Sequence, residues 1–164
     1  MENQNQKPQL GFKEALSAVF SKLTDVKGRA RRSEFWWFML VFIPVTVIAS
    51  LICQPISHIA DLVVNIILYL FALSVTARRL HDSGKSELWV YASFLCNIVT
   101  NIYILSLISD IDLSDASALV EVFKHNIGIT FLGTVKAILQ FIVFIFCLLD
   151  STRGANKYGE STKY

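Results

Sequence analysis

The sequence predicts an all-α membrane protein, in which a cytoplasmic amphipathic helix precedes four transmembrane helices and both termini lie in the cytoplasm. Its composition is the first observation: 54% of the 164 residues are hydrophobic and only 17% are charged, whereas soluble domains contain about 25% charged residues. The second is the distribution of charge, which is largely confined to segments between four long apolar stretches. The third is the concentration of lysine and arginine in alternate segments. Buried helices of soluble proteins rarely run this long without a polar face.

The first predicted element is an amphipathic helix over residues 12–23. Its apolar side chains recur at intervals of three and four residues, as on one face of an α-helix. They are Phe12, Ala15, Leu16, Val19, Phe20 and Leu23. The pattern leaves two interpretations open, because the helix could lie on the inner leaflet or pack against the ends of the spans. Residues 26–28 are expected to break the helix, and Ser33 is expected to cap the first span.

Four apolar stretches follow, and each is predicted to be a transmembrane helix. Each contains about 20 residues, the length needed to cross about 30 Å of hydrocarbon. Backbone polar groups in lipid must bond within their own segment, so these stretches should be helical. The predicted spans are residues 35–53, 56–77, 88–109 and 128–149. The chain is thereby divided into a cytoplasmic segment (1–34), a four-helix membrane domain (35–149) and a cytoplasmic tail (150–164).

The distribution of positive charge predicts the orientation. Thirteen of the 15 lysines and arginines lie in residues 1–34, 78–87 and 150–164, and the loop 110–127 contains one. Cytoplasmic loops of multi-pass proteins carry this excess, so both termini are predicted to lie in the cytoplasm. A polar leader of about 34 residues is too long for a removable signal peptide, so the first stretch should remain in the mature protein.

Two further features agree with this orientation. All three tryptophans fall at the predicted cytoplasmic interface, where aromatic side chains are enriched. They are Trp36, Trp37 and Trp89. The opposite loop is acidic and contains Asp110, Asp112, Asp115 and Glu121. An acidic loop is tolerated on the outer side, because lysine and arginine set the orientation.

Two ionisable residues lie within the predicted hydrocarbon, Asp61 in the second span and Lys136 in the fourth. Each costs about 2.5–3.5 kcal/mol at a helix centre. Both are nearer the outer end, and we predict that they form an ion pair, joined by Asn65, Asn97 or Asn101. Such a pair would either lock the helices together or form part of a proton or ion path.

A basic cluster precedes the first span, and an acid ends each of the second and fourth spans. The cluster contains Arg29, Arg31 and Arg32. Asp82 and Asp150 are expected at helix C-termini, where the helix dipole disfavours a carboxylate by about 0.3–1 kcal/mol. Each acid is therefore expected to have a cationic partner, either from the cluster or, for Asp82, from Arg78 four residues earlier. We predict a cytoplasmic ion-pair layer that includes Glu34, Asp82 and Asp150.

Three sequence motifs carry a resemblance to a known family. The motifs are GRARRSEFWWF, then RRLHDSGKS followed by Trp89, and finally LLDSTRGANKYG. In this order and at these positions they resemble the bacterial inner-membrane family called domain of unknown function 805, from about Gly28 to Gly159. The resemblance implies a small multi-span inner-membrane protein with cytoplasmic termini, and it implies no established activity.

Common enzyme motifs fail when their spacing is checked. The segment SGKS at residues 83–86 matches the end of a P-loop motif. A P-loop also requires a glycine at position 79, and this position is occupied by Arg79. His81 and Asp82 are adjacent on a helix and point about 100° apart, so they do not form a catalytic pair. We predict no catalytic residue, no metal site, no cofactor and no nucleic-acid partner.

The expected function is therefore non-enzymatic, with an arginine-rich cytoplasmic face that binds an anionic lipid headgroup or an acidic segment of a protein partner. Guanidinium groups match phosphate and carboxylate geometry. The candidate residues are Arg29, Arg31, Arg32, Arg78, Arg79 and Arg153. The opposing interpretation is that these arginines only neutralise acids within the fold. The alternative function is a small transporter or channel component that uses Asp61 and Lys136, as a homo-oligomer or with a membrane-protein partner.

Overall fold

The computed structural model describes residues 8–108 and 116–163, which form an all-α fold. Six helices are present in this part of the chain: α1 (Phe12–Phe20), α2 (Arg32–Cys53), α3 (His58–Asp82), α4 (Leu88–Ile108), α5 (Ala116–His125) and α6 (Ile127–Leu148). Within the described residues, α2, α3, α4 and α6 are each long and apolar enough to cross a membrane. The predicted fold class with four spans is therefore confirmed.

The helix bounds differ from the predicted ones where side chains are held by tertiary contacts. α3 continues to Asp82 instead of ending near residue 77, and its last turns are buried. α2 begins at Arg32, and its N-cap is Arg31, whose backbone is extended with φ −68° and ψ 160°. The prediction of Ser33 as the N-cap is therefore wrong. α1 ends at Phe20, three residues earlier than predicted.

α1 packs against the first span. It contacts α2, and its Ala15 and Val19 are fully buried. The Phe12 ring also meets the Trp37 ring edge to face, with centroids 5.5 Å apart. Of the two interpretations of this helix, the structure therefore agrees with packing against a span.

The four spans run alternately up and down, so the bundle has two distinct ends. α3 packs against α2, α4 and α6, and α4 also packs against α6. We call the end formed by the start of α2, the end of α3, the start of α4 and the end of α6 the basic end. The buried apolar cluster lies toward this end and includes Val19, Ala30, Phe35, Phe38, Val75, Leu80, Val90 and Cys147.

Many large apolar side chains of the spans face outward. On α2 alone, Leu40, Ile43, Ile48 and Leu51 are each more than half exposed. A soluble monomer rarely exposes a continuous apolar surface of this extent, whereas lipid is a favourable environment for it. The outward surface therefore has the composition of a lipid-facing surface.

The opposite end contains a helix that the sequence did not predict. α5 lies in the segment treated as an acidic loop, and Glu121 is exposed on it. The other acids of that loop, Asp110, Asp112 and Asp115, lie outside the described residues. Asn126 caps α6 by accepting from the Ile129 N–H at 3.1 Å.

Candidate functional site

Asp82, the last residue of α3, is the centre of a buried polar layer at the basic end. Its side chain is 0% exposed. Arg29 donates from Nε to Oδ1 at 2.9 Å, and Arg79 donates from Nη1 to Oδ2 at 2.5 Å. Ser151 donates its hydroxyl to Oδ2 as well. Two guanidinium groups thus offset the unfavourable position of a carboxylate at a helix C-terminus.

Arg29 connects the segment before α2 to the C-terminal tail. Besides the Asp82 carboxylate, it donates to four backbone carbonyls at 2.7–3.3 Å. These belong to Asp82, Thr152, Gly154 and Gly159. Gly154 and Gly159 have φ of 71° and 124°, a backbone that glycine adopts without strain and that lets the tail curl around the guanidinium. All five N–H groups of Arg29 are therefore used within the fold.

Arg78 serves a different acid from the predicted one. Its Nη1 donates to Glu34 on α2 at 2.6 Å, and both side chains are at least nine-tenths buried. Asp82 is instead paired locally with Arg79, at the i,i+3 spacing, so the prediction for Arg78 is wrong. The Nε and Nη2 atoms of Arg78 are buried and have no protein partner among the described residues.

His81 holds the tail against the end of α3. Its ring stacks on the Tyr158 ring with centroids 3.7 Å apart and planes 7° apart. Nδ1 lies 3.0 Å from the Gly28 carbonyl, and Nε2 lies 2.8 Å from Glu87 Oε2. Asn156 donates to the His81 carbonyl at 2.9 Å. His81 is therefore a structural contact point for three segments of the chain.

Sequence reasoning missed most of these tail contacts. Within LLDSTRGANKYG it assigned roles only to Asp150 and Arg153, although Asn156 and Tyr158 supply two of the contacts to His81. Glu87 was not assigned a partner. Its pKa is lowered by a backbone hydrogen bond of its own and then by the hydrogen bond from His81.

The burial of three arginines corrects the predicted anion-binding set. Arg29, Arg78 and Arg79 are 5%, 1% and 0% exposed, and acids of the fold pair with all three. An external headgroup cannot reach them without unfolding the layer. For these residues, the interpretation of internal neutralisation is the one that fits the geometry.

Three other cations of the basic end border a cavity of about 580 Å³, which we call the basic groove. Its charged lining residues are Arg31, Arg32, Lys163 and Asp150. Its remaining wall includes Trp36, Trp37 and Leu40 of α2. The exposed tail residue Arg153 is not part of this lining. Of the six predicted arginines, two therefore lie in an accessible cavity.

Asp150 and Arg32 shape one side of the basic groove. Lys163 lies 2.8 Å from Asp150 and, as the largest cause, lowers the pKa of that carboxyl. Arg32 lies 3.9 Å from the same carboxylate and donates to the carbonyls of Leu148 and Leu149 at the end of α6. Arg31 donates to the Pro8 carbonyl. The groove thus joins the start of α2 to the end of α6.

Asp61 and Lys136 both line a second cavity, of about 460 Å³, at the opposite end. We call it the polar cavity. No ion pair within 4.0 Å joins the two residues, so the predicted Asp61–Lys136 pair is wrong. Asp61 lies in the first turn of α3, where the helix dipole favours a carboxylate, and it accepts from Asn65 at 2.7 Å. The structure therefore explains this charge without a lysine.

The two other asparagines of the prediction also line the polar cavity. Asn101 donates to Asn97 within α4. Asn65 donates to Ser50 on α2 at 3.0 Å. The polar side chains are thus gathered in one place, although most of their hydrogen bonds stay within a helix. In residues 8–108 and 116–163, no group of three or more His, Cys, Asp or Glu could hold a metal ion.

Comparison with known proteins agrees with the motifs. The family model described as "protein of unknown function (DUF805)" matches residues 23–160. The inner membrane protein YhaH of Escherichia coli K12 is 32% identical over 78 residues, covering 43% of this chain and 64% of its own length. The uncharacterized protein YiiR of the same strain is 28% identical over 148 residues, covering 86% of this chain and 88% of its own. No solved structure matches the chain significantly.

Proposed function

The chain belongs to the DUF805 family of proteins of unknown function, and we propose that it is a multi-pass protein of the bacterial inner membrane whose basic groove binds the headgroup of an anionic phospholipid. In this proposal the basic end faces the cytoplasm. The excess of lysine and arginine at this end supports the orientation. The relative YhaH is named an inner membrane protein, and this name supports the location.

The composition of the basic groove is the observation that carries the proposal. Arg31, Arg32 and Lys163 outweigh the single carboxylate of Asp150 in its lining, and the N-terminus of α2 adds partial positive charge. The side chain of the N-cap residue, Arg31, makes no capping hydrogen bond. A phosphodiester group in the groove would therefore lie close to two guanidinium groups and to a helix N-terminus.

The apolar wall of the groove favours a lipid over an acidic protein segment. Trp36 and Trp37 are 37% and 38% exposed beside the arginines, and tryptophan is the side chain that concentrates at the boundary of headgroups and hydrocarbon. Leu40 lies eight residues beyond Arg32 on α2, about 12 Å deeper, and it is 60% exposed. A headgroup at the arginines would thus place its acyl chain along an apolar helix face.

No enzymatic step is part of this proposal. Both ring nitrogens of His81 face oxygen acceptors of the fold, so the ring already has its hydrogen-bond partners. Asp82 is fully buried between two arginines. Neither residue has the accessible, partly free geometry that general acid–base catalysis requires.

A rival function is transport that uses the polar cavity, with Asp61 and Lys136 on its walls. Charged groups at membrane depth often mark such pathways. The buried Asp82 layer closes the basic end, so transport would require this layer to open. Under the rival function, Asp61→Asn would abolish flux of the transported solute in vesicles, whereas headgroup binding in the basic groove does not depend on that residue.

Native mass spectrometry of the purified protein with added phosphatidylglycerol tests the proposal. The groove variant Arg31→Gln/Arg32→Gln is compared with the control variant Lys22→Gln/Lys27→Gln. The control removes the same charge from exposed lysines outside the groove. Two cations near the membrane surface contribute about 2 kcal/mol, so the groove variant should bind phosphatidylglycerol roughly thirty-fold more weakly. The control should bind like the wild type.

Other outcomes would contradict the proposal. Equal weakening in both variants would mean that the lipid responds to net charge and not to the groove. Unchanged lipid binding, together with loss of a co-purifying protein in the groove variant, would assign the groove to an acidic partner. Because Arg32 also contacts the end of α6, the thermal midpoint of each variant is measured to verify that the fold is intact.

A further inference from the structure

A third cavity lies between the four spans and adjoins the polar cavity. Its volume is about 530 Å³, and most of its lining is apolar. We call it the central cavity. Apolar lining residues come from all four spans and include Met39, Phe42, Leu73, Phe94, Val143 and Phe144. Asn65 and Tyr69 line both this cavity and the polar cavity. The two cavities therefore adjoin at Asn65 and Tyr69, with the polar part near the opposite end and the apolar part extending from there toward the basic end.

The two charges of the polar part have unused binding capacity. Among the described residues, neither Asp61 nor Lys136 takes part in an ion pair within 4.0 Å. Asn65 occupies one carboxylate oxygen of Asp61, and the other oxygen accepts no hydrogen bond from the described part of the chain. The Lys136 ammonium donates none there either. A cation and an anion thus line one cavity without pairing with each other, although an unpaired charge within a membrane span is costly.

The packing of the spans leaves the apolar part approachable from lipid. α2 packs on α3, but within the described ranges it forms no interface with α6 comparable to those of α3 and α4. Their ring contact, Trp36 with Phe144 at 6.1 Å between centroids, involves the first turns of α2 and the last turns of α6. Protein interiors are normally filled to high density. An acyl chain entering between α2 and α6 would fill this space.

We propose that the polar and central cavities together form a binding site for an amphiphile whose headgroup carries both an anion and a cation, as a phosphoethanolamine headgroup does. Lys136 binds the phosphate, Asp61 binds the ammonium, and the acyl chain occupies the central cavity. A purely anionic headgroup would meet repulsion from Asp61, and a purely cationic one would meet repulsion from Lys136. The paired charges therefore select a zwitterion through attraction and repulsion together.

This site differs from the basic groove in location and in ligand charge. The groove is at the basic end and its charged lining is predominantly cationic, whereas the polar cavity presents one charge of each sign. The volumes of both cavities fall within the range typical of small-molecule sites, about 300–1,000 Å³. Binding at one site can therefore be removed by substitution without removing it at the other.

The test measures binding of lysophosphatidylethanolamine and lysophosphatidylglycerol to the full-length protein in detergent by native mass spectrometry. Loss of one charge-assisted contact should weaken binding of lysophosphatidylethanolamine at least about ten-fold in Lys136→Met and in Asp61→Asn. Asp61→Asn should also bind lysophosphatidylglycerol more tightly than the wild type does. The matched control on α6 is Gly133→Ala, since a Cβ at Gly133 meets nothing within 4 Å. This control and Arg31→Gln/Arg32→Gln should keep wild-type binding of lysophosphatidylethanolamine.

Stability measurements separate a binding role from a structural one. Because Lys136 has no ion-pair partner in the described part of the chain, Lys136→Met should leave the thermal midpoint of the ligand-free protein unchanged or raise it. A large fall would identify Lys136 as a structural lock and overturn the proposal. Equal affinity of wild type and both charge variants for the two lysolipids would also overturn it. Displacement of the lysolipid by free phosphoethanolamine at equal concentration would assign the site to a soluble zwitterion. That result would overturn the proposal that the ligand is an amphiphile.

Discussion

Asp82 illustrates at the scale of one residue how a costly charge is kept in a buried position. A carboxylate at a helix C-terminus opposes the helix dipole, and full burial adds desolvation. Arg29 and Arg79 offset both costs through charge-assisted hydrogen bonds. Such a pair contributes little net stability when compared with apolar packing, but removal of one member leaves the others unpaired. Its effect is to join three segments that are distant in sequence.

We predict that Asp82→Asn destabilises the protein strongly, whereas Asp150→Asn does not. The first substitution leaves two buried guanidinium groups without a counter-charge, which costs about 3–5 kcal/mol. The second changes a side chain that is 49% exposed, where an ion pair is worth about 0–1 kcal/mol. Thermal unfolding in detergent measures both variants. Equal midpoints for the two variants would contradict the structural role of the layer.

For Asp82, the sequence predicted a cationic partner from the basic cluster or from Arg78, but it did not predict Arg79. An acid at the end of α3 required a cation, and arginines were available three and four residues earlier. Both spacings place side chains on the same helix face. The choice depends on the neighbours of α3: Arg78 faces Glu34 on α2, and Arg79 donates to the carbonyls of Cys147 and Leu149. The different partners of Arg78 and Arg79 can therefore be assigned only when the packing of the spans is known.

At the scale of the elements, α4 and α6 are in close contact at the opposite end. A Cβ added at Gly128 would lie 2.5 Å from Tyr103 Oη and 2.9 Å from two of its ring carbons. The same hydroxyl donates to Asn126, the N-cap of α6, at 3.1 Å. The glycine therefore allows the tyrosine to hold the start of α6. This contact was not predictable from the sequence, because a glycine at the start of a span has no special meaning until its neighbour is known.

We predict opposite effects for alanine at the two glycines of α6. Gly128→Ala forces the Tyr103 ring to move and should cost about 1–3 kcal/mol, the range typical of overpacking. Gly133→Ala meets open space and should stabilise by about 0.5–1 kcal/mol through helix propensity. The thermal midpoints of the two variants provide the measurement. A fall of the same size in both would show that loss of glycine itself, and not the tyrosine contact, matters.

At the scale of the whole molecule, hydrophobic pattern was sufficient to predict four spans. Lipid requires about 20 apolar residues per helix and satisfied backbone groups, so length and composition determine the fold class. They do not determine the crossing of the helices or the space between them. The polar and central cavities depend on how α2 is placed relative to α6. The shape of the cavities therefore follows from how the helices pack, which apolar length and composition do not determine. In α5, by contrast, the apolar residues Leu119, Val120, Val122 and Phe123 recur at helical spacing, a signal that the acidic residues of the loop obscured.

The central claim is that the four helices cross the membrane with the basic end in the cytoplasm. Single cysteines at two exposed positions test it, Lys124→Cys on α5 and Ala155→Cys in the tail, in a background without Cys53, Cys96 and Cys147. We expect a membrane-impermeant thiol reagent to label position 124 in spheroplasts, with the inner membrane intact, and position 155 only after that membrane is broken. Labelling of position 155 in intact spheroplasts, with position 124 labelled only after breakage, would contradict the orientation. Labelling of both positions in intact spheroplasts would contradict it as well.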